Sequence, residues 1–212
     1  FRSKNCYIRQ VTIPEGVQII DREAFMACDE LRQVTFPESL VFIEAEAFKN
    51  CGMLEKVVIP HNVTKVGAGA FRGCCSLKSV SIPAHIPSAY QMFWDCRSLP
   101  SVDGMIIVNN CVYYYIGKAT TVAIPEGVTE IGAGAFRHAS GLKTVKLAST
   151  VRCIGDQAFE MQKSLREVIG ISALTEIGFS AFENCTVLEK LELPDTLAVV
   201  GKQAFKNCES LK

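Results

Sequence analysis

Three observations predict an α/β repeat solenoid: Ala-Phe pairs recur in steps of 23 residues, other residue types keep the same register, and the apolar spacing changes within each period. The pairs are Ala24-Phe25, Ala47-Phe48 and Ala70-Phe71, then Ala135-Phe136, Ala158-Phe159, Ala181-Phe182 and Ala204-Phe205. Six residues after each Phe stands a Leu (Leu31, Leu54, Leu77, Leu142, Leu165, Leu188, Leu211), and eleven before five of them a Pro (Pro14, Pro37, Pro60, Pro125, Pro194). Phe93, with Leu99 six residues on and Pro83 ten before, fits as a coil shortened by one residue.

Each period opens on a V-x-I alternation, which reads as a half-buried strand. Pro ends that strand because it cannot donate to a ladder. The apolar residues then take the i, i+3 spacing of a tight helical turn, as at Val128 and Ile131. Gly67, Gly132, Gly155, Gly178 and Gly201 follow, where a turn calls for a permissive backbone, although Asp21 and Glu44 hold the same place in the first two coils. One such coil cannot bury its apolar side alone; stacked coils pair strand on strand at about 4.8 Å and enclose a continuous core. The expected molecule is one solenoid domain over residues 1–212, with about eight coils, a parallel strand ladder on one face and short helical turns on the other. Phe, Leu and Val/Ile fill its interior, and the Ala before each Phe leaves room for the neighbouring ring.

The array is interrupted once. Pro83 to Pro125 spans 42 residues, and the excess follows Leu99-x-x-Val102. Two β-prone runs flank Asn109-Asn110, a pair that tolerates the positive φ of a two-residue turn, so an inserted β-hairpin is expected over about residues 102–120. Neither end shows the atypical polar repeat that normally closes a solenoid, which reads as a fragment of a longer protein.

Composition narrows the function. Lys+Arg and Asp+Glu balance at 22 each, leaving no basic excess for nucleic acid or anionic lipid, and no apolar run is long enough for membrane insertion. Cys28, Cys51, Cys74, Cys96, Cys185 and Cys208 share the place three residues after Phe, where Ala139 and Gln162 also occur. They read as buried thiols, since parallel side chains would have to rotate to reach disulfide geometry. Cys6, Cys75, Cys111 and Cys153 lie off this ladder and there is no C-x-x-C, so no metal site is expected. His61, His85 and His138 have no repeated partner, so no catalytic residue is assigned. Gly67-Ala68-Gly69 and Gly132-Ala133-Gly134 belong to the repeat and lack phosphate-loop spacing, so no cofactor is expected either.

The segment Ile124 to Phe136, IPEGVTEIGAGAF, followed by a helical turn and Cys, resembles the hallmark of BspA-like leucine-rich repeat proteins. The resemblance covers nearly the whole chain. It implies a curved, right-handed leucine-rich repeat solenoid, often part of a bacterial cell-surface or secreted protein that binds host or matrix partners. It carries over no binding residue, because the family binds through variable surface positions.

The function expected is therefore a non-enzymatic, adhesin-like binding module with a protein or glycan partner. The alternative is an intracellular scaffold, which ten cysteines with little sign of pairing favour. Candidate contacts come from two places. Outward strand positions, among them Thr35, Val58, Ser81 and Lys146, form a face that reads equally as solvated or binding. Aromatic residues concentrate near the hairpin, with Trp94 and then Tyr113, Tyr114 and Tyr115 in succession. Tyr113 and Tyr115 share one face of a strand and Tyr114 the other, so they either seal the hairpin onto a coil or form an exposed patch.

Overall fold

The computed structural model describes residues 6–212. The chain divides into two compact units, Phe1–Pro100 and Ser101–Lys212. The first contains β1 (Gln10–Thr12), β2 (Ile19–Ile20), β3 (Gln33–Thr35), β4 (Phe42–Ile43), β5 (Lys56–Val58), β6 (Lys65–Val66) and β7 (Ser79–Ser81). They form two parallel sheets, β1-β3-β5-β7 and β2-β4-β6. The repeat sets the register: Val11 pairs with Val34 and Val57 with Val80, each 23 residues on.

The second unit contains β8 (Met105–Val108), β9 (Cys111–Tyr115), β10 (Thr121–Ala123), β11 (Glu130–Ile131), β12 (Thr144–Lys146), β13 (Cys153–Ile154), β14 (Glu167–Ile169), β15 (Glu176–Ile177) and β16 (Val199–Val200). Its sheets are β10-β12-β14 and β16-β15-β13-β11-β9-β8. β8 and β9 run antiparallel around Asn109 and Asn110, whose φ values of 48° and 62° suit the two-residue turn. β9 also pairs in parallel with β11, Val112 lying opposite Ile131, so this hairpin is itself a member of the repeat ladder. The strand expected around Leu191 is reduced to a single bridge between Glu167 and Lys190.

No helix occurs among the described residues, which corrects the helical half of the expected α/β class. The V-x-x-I spacing ends instead in a second ladder of two-residue strands, such as β2 and β11. The Ala-Phe segment is a run of turns in which the residues two before and two after Phe are left-handed: Glu23 and Ala27, Glu46 and Asn50, Gln157 and Met161. A helix cannot pass through such residues. The freed N–H groups turn to the following coil, Phe25 donating to Ala47 at 2.8 Å and Ala27 to Lys49 at 2.8 Å. The result is a β-solenoid of about eight coils with three hydrogen-bonded edges per coil.

The core follows the periodicity. Phe48, Phe71, Phe93, Phe136, Phe159 and Phe182 are fully buried, as are Leu54, Leu77, Leu142, Leu165 and Leu188. Successive rings stack face to face, with centroids 5.0 Å apart for Phe25–Phe48 and 5.4 Å for Phe48–Phe71 in the first unit. The second repeats this at 5.0 Å for Phe136–Phe159 and 5.2 Å for Phe159–Phe182. Ala47, Ala70, Ala158 and Ala181 are also buried, in keeping with their expected place beside the rings.

The reading of six buried ladder thiols holds for four of them, Cys208 being only partly buried and Cys28 paired. Cys51, Cys74, Cys96 and Cys185 are buried thiols, each donating to the Phe carbonyl of the preceding coil at 3.1–3.3 Å. Cys28 is disulfide-bonded to Cys6, with Cα atoms 4.9 Å apart. Cys6 lies 22 residues before Cys28 rather than a full period, so the bond joins a ladder cysteine to a residue one step off the ladder.

Candidate functional site

Period-two alternation puts Val34, Val57, Val122, Val145 and Val168 inside and their neighbours outside. In the first unit the outward residues form two rows, Gln10-Gln33-Lys56-Ser79 and Thr12-Thr35-Val58-Ser81, all exposed. Thr35, Val58 and Ser81 thus lie in one row of one face, as the strand reading expected. Lys146 belongs to the second unit's corresponding sheet, between Ala123 and Ile169.

The first unit's face is not flat. β5 and β7 pair at three residues, whereas β3 and β5 pair only at Gln33 and Lys56. There an open groove of about 600 Å³ is lined by Gln33, Thr35, Phe36, Glu38, Lys56 and Val58, with Arg32 and Glu55 at its edge. Arg32 and Lys78 both pair with Glu55, at 3.8 and 3.0 Å. Such exposed pairs add little stability, but they leave the groove with balanced charge rather than a single-sign field. Half-exposed Val58 gives it an apolar floor beside the Thr35 hydroxyl. In the second unit a smaller cavity of about 210 Å³ runs along Glu167–Ile171 toward Lys190 and Glu192, where the ladder falls to one bridge.

The aromatic candidates divide. Tyr115 is 3% and Tyr113 5% exposed, which corrects their assignment as partner contacts. Tyr115 stacks on Phe136 with centroids 5.1 Å apart, and its hydroxyl accepts the Ala119 N–H at 3.0 Å. Tyr113 lies where the β8/β9 register shifts, Ile106 pairing with Tyr114 and Ile107 with Val112. Burial, with the Cys111 and Glu130 charges nearby, pushes its phenol well above the usual range. Tyr114 and Trp94 are half-buried, and the Arg72 guanidinium lies 4.2 Å above the Trp94 ring. This cation–π contact occupies one face of the indole.

Groups with shifted acidity do not converge on a reactive centre. Burial pushes the thiols of Cys51, Cys153 and Cys185 up to about 12, which makes them poor nucleophiles. The His61 and His85 rings pack edge to face at 5.1 Å, and His85 Nε2 lies 2.9 Å from the Val63 carbonyl. Among the described residues no three His, Cys, Asp or Glu side chains are placed to hold a metal ion, and no helix is long and apolar enough to cross a membrane. The groove was invisible in the sequence, because an incomplete pairing between two well-formed strands leaves no mark on the repeat pattern.

Parallel ladders, a stacked Phe core and a 23-residue coil define a leucine-rich-repeat-type solenoid with an open strand face. The chain belongs to the BspA-type leucine-rich repeat family, whose model matches residues 2–109 and 106–212. Among solved structures it is similar to the pneumococcal vaccine antigen PcpA, at 26% identity and a TM-score of 0.51 over 92% of this chain and 47% of that one. A leucine-rich repeat protein of T. pallidum matches at 24% identity and a TM-score of 0.50, over 91% of this chain and 87% of that one. A leucine-rich cell surface protein of Faecalibacterium prausnitzii matches at 27% identity and a TM-score of 0.44, over 97% of this chain and 59% of that one. The chain thus spans about half the length of the first two relatives with surface or antigen descriptions. No curated protein matches it.

Proposed function

We propose that the chain is a non-enzymatic binding module of an adhesin-like protein at the cell surface or outside the cell, and that a protein or glycan partner lies along its strand face. The observation that carries this reading is the groove between β3 and β5. It gathers hydroxyl, amide, charged and apolar side chains on a rigid ladder, so a partner that binds there orders little of the protein. Thr35 and Val58 line the groove, Ser81 continues their row on the first unit's face, Lys146 is a candidate contact on the second unit's own strand face, and no cofactor takes part. Tyr114 and Trp94, half-buried, are kept as candidate contacts, each on its own unit. The likeness to the pneumococcal vaccine antigen supports the placement at the surface.

An intracellular scaffold is the second reading, and the buried thiols Cys51, Cys74 and Cys185, none of them in a disulfide, favour it. A signal peptide or wall anchor in the complete gene supports the first, a cytosolic effector domain the second. The binding reading is tested by probing arrays of surface proteins and of glycans with the purified chain. Thr35→Arg with Val58→Asp should lower affinity for any captured partner at least about tenfold while the melting temperature holds, as central interface positions do. Arg22→Glu, an exposed change on the turn segment, should leave it unaltered. Loss with Arg22→Glu alone would move the site off the strand face.

A further inference from the structure

Between the coils of β3 and β5 the repeat contacts lapse at two successive places. The first is the strand end, where the residue before Pro normally closes the ladder on the next coil. Ile13 donates its N–H to Thr35 and Ile59 to Ser81, each at 2.9 Å, as Ile124 does to Lys146 at 2.8 Å. Phe36 holds this place in the second coil, and its N–H, which the register would give to the Val58 carbonyl, has no hydrogen bond among the described residues. The second place is the residue after Pro. Glu15 accepts the N–H groups of Glu38 and Ser39 at 3.1 and 3.4 Å, and Glu126 accepts the Ser149 N–H at 3.2 Å. Glu38 stands in the same register, yet only its backbone carbonyl is engaged by the next coil, by the Asn62 amide at 2.8 Å, and its carboxylate has no partner among the described residues. A cation is also left over. Glu55 pairs with both Arg32 and Lys78, so Lys56 beside it has no ion pair among the described residues. Phe36, Glu38, Lys56 and Val58 all line the groove.

We propose that the groove takes an extended peptide segment of a partner protein that carries an acidic and a basic side chain, the acidic group on Lys56 and the basic one on Glu38. This rests on the strand-face reading above and chooses between its two classes of partner. Lys56 pairs in register with Gln33, and Glu38 follows Gln33 by five residues, an interval of at most roughly 17 Å. A free amino acid is too short to meet both charges. An extended peptide with its two charged residues about four apart covers roughly 13 Å before its side chains add their reach. A neutral glycan meets neither charge, and an acidic glycan meets only Lys56. Between the two ends the Phe36 N–H and the Gln33 amide offer hydrogen bonds to a peptide backbone, and half-exposed Val58 offers apolar contact. The net charge of the groove is balanced, but its unpaired charges stand apart, so selection works by sign at each end rather than by long-range steering.

The test pans random dodecapeptides displayed on phage against the whole chain. Selected peptides should carry an acidic and a basic residue about four apart. Lys56→Glu should weaken their binding at least about tenfold at an unchanged melting temperature, because attraction becomes repulsion. Panning on that variant should return peptides with a basic residue in place of the acidic one, and Glu38→Lys should reverse the choice at the other end. Arg22→Glu should do neither. Failure to select any peptide, or peptides that bind Lys56→Glu and Glu38→Lys as well as they bind the parent, overturns the proposal. A captured glycan that is lost with Thr35→Arg and Val58→Asp, while no peptide is selected, overturns the peptide and leaves the strand-face reading standing. Peptides lost with Arg22→Glu instead overturn both.

Discussion

Tyr115 donates its N–H to the Ala135 carbonyl at 3.0 Å and stacks its ring on Phe136 at 5.1 Å between centroids. Phe136 makes the same two contacts with the coil that follows it, donating to Ala158 at 2.8 Å and stacking on Phe159 at 5.0 Å. The last residue of the hairpin strand therefore stands in for a ladder Phe and opens the aromatic stack of the second unit.

Truncating this ring should act like truncating the ladder itself. Tyr115→Ala and Phe159→Ala are each expected to cost about 3–5 kcal/mol through lost transfer energy and the cavity left behind. Tyr115→Phe keeps the ring and removes only the hydroxyl that accepts the Ala119 N–H, for roughly 1 kcal/mol. Urea unfolding followed by circular dichroism measures all three. A Tyr115→Ala chain as stable as the parent would show that this ring carries no share of the stack.

Acidity of the buried thiols predicts an alkaline limit. Cys51 and Cys185 have an ordinary value of 9.0 raised to about 12, with burial the largest cause. A thiol held neutral in the folded chain and free to ionise in the unfolded one stabilises the fold fully below pH 9. That contribution is lost as pH rises from 9 toward 12. Melting temperatures between pH 7 and 11 should fall from about pH 9, and Cys51→Ala with Cys185→Ala should flatten the fall. Native-state alkylation at pH 8 should reach exposed Cys75 long before Cys51.

How much of this was legible depends on whether side chains or backbone carried the information. Register, core and strand face followed from Ala-Phe, Leu and V-x-I, since burial leaves apolar residues at fixed spacing. The missing helix did not, because the left-handed positions beside Phe are filled by Glu23, Ala27, Gln157 and Met161 as well as by glycine. None of those types announces a positive φ. Tyr115 was hidden for a related reason: it stands 21 residues before Phe136, and only the hairpin geometry brings it into register. The groove depends on a pairing that lapses between Thr35 and Val58, two residues ordinary for their strands.

Gly178 has a different reason for being glycine than the turn role its position suggests. Its φ is not left-handed; a Cβ there would sit 2.6 Å from the Asp156 backbone nitrogen of the preceding coil. Gly178→Ala must push two hydrogen-bonded coils apart and should cost about 1–3 kcal/mol, as overpacking does. Gly16 is the contrast, with φ of +94° and nothing within 4 Å of a Cβ. Gly16→Ala meets only backbone strain, about 1 kcal/mol. Equal losses in the two variants, read from urea midpoints, would remove the close-approach explanation.

Met161 is the position where stability can be gained. Its φ is 62° and its side chain is about half exposed, so the left-handed strain is not offset by burial. At the equivalent place two residues after Phe stand Asn50, Asn184 and Asn207, with φ of 60°, 62° and 59°, and Asn207 Nδ2 donates to Asn184 Oδ1 at 2.8 Å. Asparagine enters the left-handed region more readily than other non-glycine residues because its short polar side chain bonds locally. Met161→Asn gives up only a long contact from the Arg137 guanidinium to the sulfur at 3.8 Å and places an amide next to Asn184 in the row. The expected gain is about 1 kcal/mol, seen as a higher urea midpoint at unchanged slope. Asn184→Met should lose a similar amount, since it breaks the amide pair and puts a long side chain on a left-handed residue. A Met161→Asn chain no more stable than its parent would mean that the left-handed residues beside Phe impose no strain the array has to overcome.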